Sequence, residues 1–240
     1  MKRFFARARW WIERHSFYTL DRIITFVRML IGFPELWLHL RFNGYRKIEL
    51  FQVASWHHSC RYLLAERDGQ KVFIKLGRSF LIHNEVVAGE KLQISKPDMI
   101  PRVLDYRLSS VLSSYVCIEF LTDYSPMETV KALPRQTREI LQKRLLEFCD
   151  ELERQGIKHR DIKPANIFIS NDQSDVKVID FAMSQGPGFA PVKYSLFNDF
   201  ILWDLGGGYK YAEDQWNDRL AVELILADRL LPFTRGVVSN

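Results

Sequence analysis

The stretch that decides the fold reads HRDIKPAN at residues 159–166 and is followed by DFA at residues 180–182. Together the two motifs supply carboxylates, an amide and an ammonium group, which suit the binding of phosphate charge and of a hard cation. An amphipathic helix precedes the first motif, with apolar residues at 141, 145, 148 and 152. Two short predicted strands, 166–170 and 176–179, separate the two aspartates. Because so many specified residues occur at fixed spacing in this setting, we interpret them as functional and not as a chance run of charges.

The two motifs resemble the catalytic loop of protein kinases, H-R-D-x-K-P-x-N, and their metal-binding D-F-G motif. The resemblance implies an ATP-dependent phosphotransferase that acts on a hydroxyl. Asp161 would accept the proton of that hydroxyl or orient it, and Lys163 would place a positive charge on the γ-phosphate. Asn166 and Asp180 would bind Mg²⁺ through oxygen atoms. The expected cofactors are therefore ATP and Mg²⁺.

Residues 72–75 read VFIK and are similar to the V-A-I-K strand of protein kinases, whose lysine binds the α- and β-phosphates of ATP. In this resemblance Lys75 takes that role. It requires a carboxylate from the following helix, for which Glu85 and Glu90 are both candidates. Glu85 is preferred, because its distance from the next strand better suits the family pattern.

The segment at residues 114–121, SYVCIEFL, resembles the strand that enters the kinase hinge. The resemblance implies that backbone groups of Glu119 and Leu121 meet the edge of the adenine. Ile118 is expected to line the pocket behind the base. A buried strand without a ligand is the alternative.

The predicted element order is that of an α+β, two-lobed, protein-kinase-like fold. Five strands of an antiparallel N-lobe, with one inserted helix at about 80–93, are followed by a shortened, mainly helical C-lobe. The strands are predicted at 47–53, 60–66, 71–76, 103–108 and 114–120. A helix start is expected at Ser125, from a Ser-Pro-Met-Glu pattern that is typical of a helix cap. We expect three segments: 1–46 as an N-terminal helical segment, 47–121 as the N-lobe and hinge, and 122–240 as the C-lobe.

Charge and cysteine content narrow the class of protein. Residues 1–47 hold ten Lys or Arg and three Asp or Glu, a net charge of +7, and leave 24 basic and 26 acidic residues in the rest of the chain. The basic residues therefore belong to one terminal segment, and no nucleic-acid-binding motif accompanies them. Three widely spaced cysteines, without a CxxC pair, argue against a disulfide framework and favour a reducing compartment. Burial is the expected role of Cys117 and Cys149.

The N-terminal segment combines its basic residues with apolar residues at helical spacing. These are Phe17, Leu20, Ile24, Val27 and Ile31. Charged residues interrupt the segment before it reaches the length of a membrane span, and it lacks a signal-peptide cleavage site. Two interpretations stay open. The segment is an amphipathic helix on an anionic membrane surface, or it is a helical extension packed on the domain.

Three features depart from the protein-kinase pattern. The turn after the first strand reads ASWHHS at residues 54–59, where a glycine-rich loop is expected. Ala182 replaces the last glycine of D-F-G. Only 58 residues follow it, so the helical platform that binds peptides in protein kinases cannot be complete. Asp199 or Asp204 is a candidate for a hydrogen bond that supports the catalytic loop. His159 and Arg160 are expected to hold the same loop in place.

Three functional hypotheses follow. The preferred one is a kinase acting on a sugar hydroxyl of a membrane glycolipid, because the short lobes and the basic start resemble the bacterial lipopolysaccharide core kinases. It places the protein in the cytoplasm, at the inner face of the membrane. The alternative is a minimal serine/threonine protein kinase, which Lys163 favours. The third is a nucleotide-binding scaffold without catalysis, although no charged residue of the kinase machinery is missing.

Overall fold

The computed structural model describes residues 23, 27, 30–51, 61–109, 114–130, 133–191 and 217–230. The chain divides into two compact units. The first unit contains Met1–Val86 and Arg102–Phe120, and the second contains Val87–Pro101 and Leu121–Asn240. The loop at 54–59, Cys60, Asp199 and Asp204 lie outside the described residues, as does most of the N-terminal segment before residue 30.

The first unit is built on a five-stranded antiparallel sheet. Helix α1, described at residues 23, 27 and 30–42, leads into this sheet. The strands, in chain order, are β1 (Arg46–Phe51), β2 (Arg61–Arg67), β3 (Gln70–Gly77), β4 (Val103–Arg107) and β5 (Ser114–Glu119). Their order in the sheet is β1-β2-β3-β5-β4, and all neighbours are antiparallel. Helix α2 (Ser79–Ser95) follows β3. The predicted five strands and their inserted helix are therefore confirmed.

The turn between β2 and β3 shows how local sequence sets the register of this sheet. Asp68 and Gly69 both have positive φ, 52° and 77°, as the two central residues of a type I′ hairpin turn require. Asp tolerates this conformation and Gly adopts it without steric cost. The turn places Arg67 opposite Gln70, and this register carries through to Lys75, which lies opposite Tyr62.

The inner face of α1 belongs to the core of the first unit. Leu36, Leu40 and Tyr45 are at most 1% exposed and pack with Leu63, Ile74 and other sheet residues. The Tyr45 hydroxyl donates a hydrogen bond to Asp105 Oδ2 at 2.9 Å. For this part of the segment the structure supports the interpretation as a helical extension packed on the domain. No described helix combines the length and the hydropathy that a membrane span needs.

The second unit contains a three-stranded antiparallel sheet and two long helices. The sheet order is β6 (Tyr124–Pro126), β7 (Ile167–Ser170), β8 (Val176–Val178). The helices are α3 (Arg135–Arg154) and α4 (Asp218–Leu230), and three short 3-10 helices cover Met127–Thr129, Pro164–Asn166 and Phe181–Met183. The core is formed by apolar residues of α3, β7, β8 and α4, among them Leu145, Phe148, Ile167, Val178 and Val222. Helix α3 ends before Gly156, whose φ of +65° is the left-handed conformation that glycine commonly adopts after a helix end.

The prediction of a helix start at Ser125 is wrong. Ser125 lies in β6 opposite Ile169 of β7, and its hydroxyl donates a hydrogen bond to Asn171 Oδ1 at 3.3 Å. The long helix begins ten residues later, at Arg135, directly after Pro134. The local pattern is typical of a helix cap, but pairing with a strand more than forty residues away determines the conformation.

Candidate active site

The catalytic-loop residues lie together in the second unit. Lys163 Nζ lies 2.8 and 3.1 Å from the two carboxylate oxygens of Asp161. The Asn166 side-chain amide donates to the Asp161 carbonyl at 2.8 Å and to its Oδ2 at 3.0 Å. The Asp161 carboxylate is thus fixed by an ammonium on one side and an amide on the other. The side chain of Asp161 is 5% exposed and that of Lys163 31%, so the lysine is open to an incoming charged group.

His159 joins this loop to the segment that carries Asp180. The Asp161 N–H donates to His159 Nδ1 at 3.2 Å, and His159 Nε2 lies 3.1 Å from the Ile179 carbonyl oxygen. The two partners select the neutral tautomer with the proton on Nε2, because one ring nitrogen must accept and the other must donate. The ring is fully buried and its centroid lies 4.5 Å from that of Phe181. These contacts agree with the expectation that His159 braces the loop.

Asp180 occupies a left-handed backbone conformation at the start of a 3-10 helix. Its φ is 69° and its ψ 64°. The preceding Ile179 N–H donates to the Asn166 carbonyl at 3.0 Å, which ties the two predicted metal-binding residues to adjacent backbone. A non-glycine residue in this conformation costs roughly 1 kcal/mol, and such conformations cluster at functional sites. Ala182 is helical with negative φ, so the replaced glycine is not needed for backbone conformation here.

The oxygen atoms of Asn166 and Asp180 fit a magnesium ion. The side-chain nitrogen of Asn166 donates to Asp161, so the side-chain oxygen Oδ1 of Asn166 is the ligand atom. Mg²⁺ is held in proteins by one or two carboxylates or carbonyl oxygens, with phosphates and water completing the shell. Within the described ranges there is no group of three or more His, Cys, Asp or Glu side chains that would hold a metal by itself. The donor set therefore suits a cation that binds together with a phosphate ligand.

Asp218 supports the backbone of the catalytic loop. Asp199 and Asp204, for which the sequence suggested this role, lie outside the described residues, so that suggestion stays a prediction. The Asp218 carboxylate accepts the N–H of His159 at 2.6 Å and that of Arg160 at 3.1 Å. Burial lowers the pKa of the Arg160 guanidinium, and the charge of Asp218 partly opposes this shift. Asn217 caps α4, accepting the Leu220 N–H at 2.9 Å. In the sequence, Asp218 is recognisable only as an acidic residue near the start of a helical pattern. Such a position indicates a helix cap or a contact with the helix dipole, and it does not indicate a partner 58 residues away.

We expect Asp218→Asn to lower the rate of the phosphoryl transfer that the resemblance implies by roughly tenfold to a hundredfold, since small displacements of catalytic groups have effects of this size. An asparagine can accept only one of the two N–H groups and directs an amide donor at the other. The measurement is the kcat and the KM for ATP, together with thermal unfolding. Asp150→Asn is the matched control, because Asp150 pairs with Arg219 of the same helix at the surface. Unchanged kcat in Asp218→Asn would show that this carboxylate does not position the loop.

In the first unit, Lys75 and Glu85 form a buried ion pair. Lys75 Nζ and Glu85 Oε1 are in direct contact, and the two side chains are 8% and 12% exposed. Lys75 lies in the middle of β3, between Tyr62 of β2 and Val116 of β5. Glu90, the other candidate, is exposed and belongs to the second unit. The preference for Glu85 therefore agrees with the geometry, while phosphate binding by Lys75 stays a prediction.

Glu119 and Leu121 lie at the end of β5 and just beyond it. The Glu119 N–H donates to the Arg102 carbonyl at 2.9 Å, and its carboxylate pairs with the Arg102 guanidinium at 3.0 Å. The Glu119 N–H is therefore engaged within the first unit, and an adenine amino group, being a donor, would be accepted by the Glu119 carbonyl. Leu121 is half-buried and begins the second unit. Adenine binding by these two residues stays a prediction.

Comparison with known proteins finds similarity to protein kinases. The protein kinase domain family model matches residues 85–187. Serine/threonine-protein kinase greatwall of Gallus gallus is 32% identical over 108 residues, which is 44% of this chain and 12% of that protein. The serine/threonine-protein kinase US3 homolog of equine herpesvirus 1 (strain Ab4p) is 29% identical over 140 residues, 57% of this chain and 36% of that protein. The probable serine/threonine-protein kinase PknB of Bifidobacterium longum is 29% identical over 140 residues, 51% of this chain and 20% of that protein.

The chain therefore spans between 12% and 36% of the length of these three relatives. Among solved structures, that of the kinase PK-1 of Cydia pomonella granulovirus is similar, with a TM-score of 0.61 at 13% identity. This likeness covers 83% of this chain and 73% of that one, and it concerns the fold. The family match begins at Glu85, within α2, and covers both catalytic motifs. The chain is therefore similar to protein kinases over residues 85–187, and its fold is similar to that of a solved kinase structure.

Proposed function

We propose that the protein is a serine/threonine protein kinase that uses ATP and Mg²⁺. The observation that carries this proposal is the Asp161 carboxylate, held between the Lys163 ammonium and the Asn166 amide. A lysine two residues after the aspartate is more typical of serine/threonine protein kinases than of sugar kinases. The relatives described above are serine/threonine protein kinases by name. The comparisons therefore support the alternative hypothesis from the sequence better than the preferred glycolipid kinase.

In the proposed reaction the acceptor hydroxyl approaches Asp161. Its oxygen attacks the γ-phosphorus in line, a new O–P bond forms, and the bond between the γ-phosphorus and the β,γ-bridging oxygen breaks to release ADP. The hydroxyl proton passes to the Asp161 carboxylate. Lys163 lies on that carboxylate and is partly exposed, so it can move onto the γ-phosphoryl oxygens while keeping its contact. The low exposure of Asp161 keeps competing water away.

The residues of the chain also account for the remaining charges of ATP. Lys75, held by Glu85, neutralises the α- and β-phosphates in this proposal, as the resemblance implies. Asn166 and Asp180 hold Mg²⁺, which supplies positive charge to the phosphate oxygens. Every charged group that the kinase mechanism needs is present in the chain. This favours catalysis over a nucleotide-binding scaffold.

The experiment that tests the proposal is transfer of γ-labelled phosphate from ATP to a host extract that is separated into protein and glycolipid fractions. We expect label on protein, and phosphoamino-acid analysis to find it on serine or threonine. Label confined to the glycolipid fraction would instead establish the sugar kinase. ATP binding without label in either fraction would establish the scaffold. Each outcome therefore selects one of the three hypotheses.

A further inference from the structure

Helix α1 is apolar on two opposite faces, and only one of them is covered. The inner face follows the spacing of Gly32, Leu36 and Leu40, which are buried in the first unit. The opposite face follows the same helical spacing with exposed residues, namely Ile23, Val27, Leu30, Ile31, Pro34, Leu38 and Phe42. Ile31 is 71% exposed and Phe42 87%. A contiguous exposed apolar face of this kind typically marks an interaction site.

Contacts between α1 and the sheet fix the orientation of this helix in the first unit. Glu35 forms an ion pair with Arg107 of β4 at 2.7 Å. His39 Nε2 lies 3.3 Å from the hydroxyl of Tyr115, a buried residue of β5. Together with the buried leucines, these contacts prevent the helix from turning its outer residues inward without leaving the sheet. The first unit therefore presents the outer face as a fixed surface, about 20 Å long over residues 30–42.

The net charge of the N-terminal segment, which contains this face, favours an anionic partner. Residues 1–47 carry a net charge of +7, which a second copy of the chain would repel. An anionic surface would attract it. Trp37 is 40% exposed at the edge of the face, and the Arg41 guanidinium lies 5.5 Å from its ring centroid. Tryptophan and arginine beside an apolar stripe are typical of helices that lie in the membrane interface.

We propose that the outer face of α1 docks the first unit onto an anionic phospholipid bilayer, with the helix lying in the plane of the membrane. The apolar residues enter the boundary between headgroups and acyl chains, and the arginines contact lipid phosphates. This proposal does not depend on the acceptor of the kinase. It makes the protein peripheral, since the inner face of the same helix stays in the protein core. It also combines the two interpretations of the segment, because the inner face packs on the domain and the outer face lies on the membrane.

The test is co-sedimentation of the full chain with vesicles of phosphatidylglycerol and phosphatidylcholine, compared with vesicles of phosphatidylcholine alone. We expect binding to the anionic vesicles that weakens with added salt. The variant Ile31→Glu with Leu38→Glu should bind at least roughly tenfold more weakly, because it removes two apolar anchors and adds two repelling charges. The matched control is Ile94→Glu with Ile140→Glu, two residues that are also exposed on helices, and it should bind as the wild type does.

Several results would overturn the proposal. These are absent binding of the wild type, equal binding of the α1 variant, and equal loss in the control variant. Sedimentation velocity covers the remaining possibility: a wild-type dimer that the α1 variant dissociates, without vesicle binding, would make this face a contact between two copies. Thermal unfolding verifies that the variant is folded. Phe42→Glu is the second variant, since so exposed a side chain contributes little to folding and its substitution should still weaken binding.

Discussion

Asp161→Asn is expected to lower the rate of phosphoryl transfer by about 10²- to 10⁴-fold, the range that a general base contributes. The structure explains why the fold should survive this change. An asparagine at 161 still offers a side-chain oxygen to the Lys163 ammonium or to the Asn166 amide, and the Asp161 backbone contacts to His159 and Asn166 are retained. The lost function is the ability to take up the hydroxyl proton. ATP affinity should therefore stay close to that of the wild type.

The measurement combines initial rates of transfer from γ-labelled ATP with calorimetric titration of ATP in the presence of Mg²⁺. Asp172→Asn is the matched control. This residue also accepts hydrogen bonds, from Ser170 and Ser174, but it lies in the turn between β7 and β8. We expect the control to transfer phosphate at the wild-type rate. Equal rates in Asp161→Asn and the wild type would contradict the proposed mechanism.

The second large effect concerns the buried pair of Lys75 and Glu85. Lys75→Met leaves a carboxylate in a site where the side chain is only 12% exposed. Removing one partner of a buried ion pair typically lowers the free energy of unfolding by about 3–5 kcal/mol. The same substitution removes the charge that we assign to the α- and β-phosphates, so ATP binding should weaken strongly as well. Urea denaturation followed by circular dichroism measures the first effect, and ATP titration the second.

The double variant Lys75→Met with Glu85→Met separates stability from function. Replacing both charges by apolar side chains of similar length should restore most of the lost stability, because no unpaired charge remains buried. It should not restore ATP binding or transfer. Arg135→Met is the control, since Arg135 and Glu139 form an exposed pair whose loss should cost less than about 1 kcal/mol. A double variant that regains activity would show that Lys75 has a structural role only.

Local chemistry explains which elements were predictable. The hairpin at Asp68-Gly69 and the end of α3 at Gly156 depend on the conformations that single residues allow. The contacts among Asp161, Lys163 and Asn166 join residues within one short loop, so their spacing in the sequence already limits their geometry. The other strands and helices were predictable from the periodic spacing of their apolar residues. Apart from the start of α3, the ends of the described elements differ from the predictions by at most two residues, as fraying of hydrogen-bonded ends would produce.

The sequence by itself therefore determined the resemblance to protein kinases, the order of the elements and the charged groups of the catalytic loop. Only the tertiary structure decided that Ser125 joins a strand, that Asp218 supports the loop, and which face of α1 enters the core. The physical reason is the same in each case. These outcomes depend on partners that are distant in the chain, between 44 and 76 positions away for Ser125 paired with Ile169, Asp218 with His159 and His39 with Tyr115. A local sequence pattern limits the conformations and contacts that a residue can form. Packing between distant segments determines which of them has the lowest free energy.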